Sequence, residues 1–235
     1  MFEAIESTDW FAIPGYPKFY EPGVIAPALR ALSRSTSAAQ AAGAASALSA
    51  AGLTHDHSAM VHPAAVAAAP ILLDIIEHAN PAARSAAIRL LHEGMDYAPL
   101  YGFNTVDTGD GFQFPLCCAI ARSIRARRPP LTDIGRLGKD LLAVADSHWR
   151  LNITEAVVLE ESATLVVGTS EGCLPTEPGN ADLRIGTETI LLESVVGEYQ
   201  GTDDGEAAMT IFVWVAADGI PPGSVLSSPC SDALH

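Results

Sequence analysis

Lysine is almost missing from this 235-residue chain: Lys18 and Lys139 are the only two, and every other basic residue is arginine. Lysine and arginine together number 13 against 28 aspartates and glutamates, a net charge of −15 at neutral pH. So acidic a chain repels phosphate backbones and anionic headgroups, which excludes nucleic acid and membrane surfaces as expected partners. Basic proteins are the complementary class. Cysteine is scarce too, and Cys117, Cys118, Cys173 and Cys230 show no metal-ligand spacing. Adjacent Cys117 and Cys118 make a poor disulfide set, so the four read as reduced thiols. The opening residues, MFEAIESTDW, lack the basic and apolar regions of a secretory signal, so a cytoplasmic location is expected. From Ser35 to His55 there is no charged side chain. That stretch is mostly Ala, Ser and Gly, whose transfer free energy is too small for a membrane span.

What is present is unevenly distributed. Residues 1–149 hold 14 acids and 11 bases, a net of −3, whereas residues 150–235 hold 14 acids and 2 bases, a net of −12. Hydrophobic period changes at the same place. Up to Trp149 apolar residues recur at helical spacing, as in Ile25, Leu29 and Leu32. An Ala-rich helix after Ser35-Thr36-Ser37, ending near Gly52, is expected to lie buried between neighbours. Val61–Leu91 reads as two antiparallel helices broken at His78–Pro81, with Asn80 as cap and Pro81 at the first position. Pro70 should kink the first of these without ending it. A third pair follows, its first helix ended by Pro129-Pro130 and its second running to Trp149. The aromatic lead-in of Trp10, Phe11, Tyr16, Phe19 and Tyr20 is expected to cap one end of the helices. After Arg150, β-branched runs separated by Gly, Pro, Asn and Asp give an all-β unit of five or six strands.

Asn80-Pro81-Ala-Ala-Arg84-Ser-Ala-Ala87-Ile-Arg-Leu90-Leu91 resembles the second helix of a HEAT-type repeat. With Asp9-Trp10, Pro27–Leu32 and Val66–Ile76, it makes residues 5–95, and more loosely 112–149, similar to bacterial HEAT-repeat proteins. That resemblance implies an α-solenoid and carries no common catalytic activity. Val166-Val167-Gly168, Gly172-Cys173-Leu174, Pro178-Gly179 and Ile220-Pro-Pro-Gly223-Ser-Val225-Leu226 resemble the β-barrel second domain of elongation factor Tu-like proteins, over residues 151–229. Pro222 stands where that family usually has a basic residue, and no GxxxxGK[ST] motif occurs, so no nucleotide function follows. The expected fold is thus α+β: a HEAT-like helical domain over 1–149 and a small acidic all-β barrel over 150–235.

Several residue groups could carry chemistry. His55, His57 and His62 place three imidazoles in eight residues, a weak candidate metal set without an established zinc spacing. His92-Glu93 is a single pair, short of the several that a HEAT-type diiron centre needs. Asn104, Asp107 and Asp110 lack the calcium-loop spacing. Arg122, Arg125, Arg127 and Arg128 form a basic stripe, read first as pairing with the chain's own acidic β domain. The long connection 96–113, with Tyr97, Tyr101, Phe103, Asp107, Asp110 and Phe112, is the expected partner-contact surface. No cofactor is expected. These readings converge on a non-catalytic protein–protein interaction scaffold for a basic partner, in its narrower form an immunity- or antitoxin-like neutraliser. The alternatives are a metal-dependent enzyme built on the histidines and a self-assembling structural protein.

Overall fold

Asn80 begins its helix as its chemistry demands: its side-chain oxygen accepts from the Ala82 and Ala83 amides at 2.9 and 3.2 Å, and Pro81 follows. Ser37 does the same for the Ala-rich helix through the Gln40 amide. The computed structural model describes residues 2–55, 57–107, 113–160, 163–186, 188–200, 210–215 and 219–230. It is a mixed α+β chain divided into two units, Met1–Ala145 and Asp146–His235.

The first unit contains helices α1 (Phe2–Ser7), α2 (Pro22–Arg34), α3 (Ala38–Ala50), α4 (Pro63–His78), α5 (Pro81–Asp96), α6 (Leu116–Arg125), α7 (Arg128–Asp133) and most of α8 (Arg136–Ser147). Short strands lie between them: β1 (Thr54–His55), β2 (Met60–Val61), β3 (Ala98–Pro99), β4 (Thr105–Asp107) and β5 (Gln113–Pro115). Helix α2 packs on α3 and α4 on α5, while α6 packs on both α4 and α5. One apolar core runs through them, centred on Ile25, Leu29, Leu48, Leu72, Ile76 and Leu91. Trp10 and Tyr20 join this core, whereas Phe11 is 77% exposed, so the lead-in is only partly a cap. Burial, then the Asp9 charge, pushes the Tyr20 phenol up to about 12.

Two expectations change. Helix α3 buries Ala41, Ala44, Ala45, Leu48 and Ser49 but exposes Ala38, Ala39, Ala42, Gly43 and Ser46, so it has neighbours on one side only. Pro129 and Pro130 do not end a helix. Instead α6 stops at Arg125 and the prolines enter the first turn of α7, where the missing N–H has no intrahelical partner to lose.

The second unit contains β6 (Arg150–Glu160), β7 (Ala163–Glu171), β8 (Gly179–Ile185), β9 (Glu188–Gln200), β10 (Thr210–Val215) and β11 (Val225–Ser227). Their antiparallel pairings close on themselves in the order β10-β7-β6-β11-β8-β9. Inward residues Leu151, Ile153, Val166, Leu183, Val195 and Leu226 form its core together with Trp149. The division falls four residues before the change in hydrophobic period, because Trp149 packs in the β core and the Asp146 carbonyl accepts from the Cys173 amide at 2.9 Å.

Candidate functional site

The described residues of the connection 96–113 are held by backbone pairing. Strand β3 runs parallel to β2, with Ala98 opposite Met60 and Pro99 opposite Val61, and β4 and β5 form an antiparallel pair. Tyr97 is half-buried and packs against the helical core. Tyr101, on the turn that follows β3, is 90% exposed, Phe103 is half-buried and Asp107 is exposed. Asp110 and Phe112 lie outside the described residues. The described part thus offers one fully projecting aromatic, not a continuous aromatic surface.

The histidines fall into two environments. His55 Nδ1 lies 2.7 Å from Ser58 Oγ, and its ring stands edge-on to Phe19 at 5.4 Å and to His57 at 6.0 Å. His55 and His57 line a shallow recess of about 170 Å³ with Ser46, Ser49 and Ala50. His62 precedes α4 but caps nothing: it is fully buried, and neither ring nitrogen has a hydrogen-bond partner among the described residues. Among the described residues the ring nitrogens of His55, His57 and His62 do not converge within metal-ligand reach. Glu93 is engaged by Arg89 and by Thr54 Oγ1 at 3.2 Å, which ties down the carboxylate of the His92-Glu93 pair.

His62 has a measurable consequence. Burial first, and the nearby His55 second, hold its pKa below the ordinary 6.5. The unfolded chain therefore binds a proton that the folded chain refuses. Stability is fully present above pH 6.5, falls as pH drops towards the folded pKa, and levels off below it. His62→Leu removes both the titration and two unpartnered buried nitrogens. Thermal melts at pH 7.5 and 5 are expected to show the variant gaining about 1–2 kcal/mol over the parent, with the larger gain at pH 5. An unchanged pH dependence would contradict the assignment.

Within the helical unit the arginine stripe has partners of its own. Arg127 bridges Asp74 at 3.0 Å and Glu77 at 2.9 Å, both on α4. Arg125 donates to the Ala145 carbonyl, and Arg122 lies over the Phe114 ring at 5.3 Å. Pairing with carboxylates fifty residues upstream had no signature in the sequence. Nor did the approach of His148 Nδ1 to Cys230 Sγ, at 3.8 Å, within the β unit. Cys117 and Cys118 are buried in the first turn of α6, their sulfurs 4.0 Å apart.

Acidic and apolar side chains alternate on the β unit's surface. Glu155, Glu188 and Glu193 are exposed on β6 and β9, as are Val157, Val158, Ile190 and Leu191. No helix among the described residues is long and apolar enough to cross a membrane. Neither a protein-family model nor a curated protein matches this chain.

Proposed function

We propose that this chain is a non-catalytic protein-binding scaffold whose acidic β unit recognises a basic protein. The observation that carries the reading is the net charge of −12 over residues 150–235, with exposed glutamates and exposed aliphatic side chains on the same strands. Complementary charge speeds encounter and selects partners, and the interleaved apolar groups supply contact area. Successive packed helical pairs support the HEAT-like reading of the first unit. The closed strand order, with Gly223, Val225 and Leu226 at its last strand, supports the likeness of the second to the elongation factor Tu-like barrel. Neutralisation of a basic toxin-like protein is the narrower form of this function.

The test is capture by the immobilised full chain from lysate. A basic protein is expected to be retained at about 50 mM salt and released by about 0.5 M, where the Debye length shrinks to a few ångströms. Retention of acidic proteins only, or hydrolytic or oxidative turnover with no partner, would overturn the reading. Near-stoichiometric metal on untagged protein would favour a metal-dependent enzyme instead.

A further inference from the structure

Strand β11 is short for a chemical reason. It is preceded by Pro221-Pro222, which have no N–H to donate, so the chain cannot continue a ladder along its neighbours. Its pairing with β6 spans only Arg150–Asn152, extended by Gly223 and Ser224 against Ile153. Strand β6 itself runs on to Glu160, paired along its length with β7 on the opposite edge. Among the described residues, no backbone group pairs with the other edge of β6 from Glu155 to Val158. Ala156 still packs against the β core, but consecutive Val157 and Val158 are 40% and 57% exposed, so the strand presents apolar side chains to solvent here. Such a row of unpaired donors and acceptors is a template for another strand.

We infer that the outer edge of β6, from Glu155 to Val158, receives an extended segment of a basic partner by strand addition, in line with β11. The inference rests on the proposed recognition of a basic protein and assigns it to a place. Backbone hydrogen bonds to the edge supply affinity, and alternating side chains on the incoming strand meet Val157 and Glu155. A second copy of this chain is a poor occupant. Antiparallel pairing of two β6 edges would bring together two copies of a unit carrying a net charge of −12, and like charges brought together across a ladder are unfavourable. A segment alternating lysine or arginine with valine or isoleucine meets the same edge with opposite charge.

The test uses the full chain and three labelled peptides: alternating Lys-Val, the same peptide N-methylated at alternate amides so that one edge cannot donate, and alternating Glu-Val. Lys-Val is expected to bind at least about tenfold more tightly than either control, since both backbone pairing and charge are then in place. Amide exchange at Glu155–Val158 should slow on binding, and Glu155→Lys, an exposed change that leaves the core intact, should weaken Lys-Val severalfold. Equal binding of the N-methylated peptide would overturn the edge assignment while leaving basic recognition standing. Tight Glu-Val binding with edge protection would do the reverse. Binding of no peptide, or a dimer whose β6 edge is already protected, would overturn the proposal.

Discussion

Gly138→Ala is expected to destabilise the helical unit by about 3 kcal/mol, the upper range for forcing a methyl into filled space. A Cβ at this position, in the first turn of α8, would stand 1.9 Å from the carbonyl oxygen of Leu131 and 2.7 Å from its carbonyl carbon. Both are backbone atoms of α7, so no rotamer change relieves the overlap. Relief requires α8 to move away from Leu131, which is itself fully buried. At about 3 °C per kcal/mol for a unit of this size, the helical transition should fall by about 10 °C. Gly43→Ala is the matched control: this glycine sits mid-helix in α3, and a methyl added there would meet nothing within 4 Å. There alanine should stabilise by about 0.5–1 kcal/mol through helix propensity alone. A Gly138→Ala melt indistinguishable from the parent would refute the close approach of α7 and α8.

The counterpart in the β unit is Gly168→Ala. Gly168 pairs with Ile153 beside a bulge, where the register steps from Ile153 to Glu155 and Thr154 is left over. A methyl on Gly168 would lie 2.0 Å from the Asn152 carbonyl oxygen and 3.1 Å from the Ile153 Cα. These atoms belong to the ladder that closes the ring through β11. The loss is again expected to be about 3 kcal/mol, and because the unit is smaller the transition should fall by about 15–20 °C. Calorimetry of the two variants side by side should show different parts of the endotherm moving. Loss of the same part in both would mean that the chain unfolds as one cooperative block.

Local chemistry made some of this legible in the sequence and left the rest hidden. Asn80 and Ser37 announce helix starts because a side-chain oxygen next to unpaired amides acts within three residues. The β-branched runs after Arg150 are equally local. What stayed hidden depends on distant partners. Two-residue strands such as β2 and β3 carry no period, so the pairing of Ala98 and Pro99 with Met60 and Val61 cannot be seen without the fold. Arg127 reads as one member of a basic stripe, and only packing reveals that Asp74 and Glu77 claim it. The recognition edge of β6 is legible in one respect, the Pro221-Pro222 pair that cuts β11 short. Its significance appears only once β6 is known to run past it.

The helical hairpin of α4 and α5 is fastened at both ends. At its open end β2 meets β3, with the Ala98 amide bonded to the Ala59 carbonyl and the Leu100 amide to the Val61 carbonyl, both at 3.0 Å. At its closed end the Ala79-Asn80 turn joins the two helices covalently, and the Asn80 amide group anchors that turn to the Ser35 carbonyl at the end of α2. Two helices tethered only by a turn can slide past each other by a fraction of a turn, whereas a pair pinned at both ends cannot. The hairpin should therefore behave as a rigid rod in mechanical terms: its amides should open together in exchange experiments, and pulling on its ends should give one rupture event instead of gradual extension.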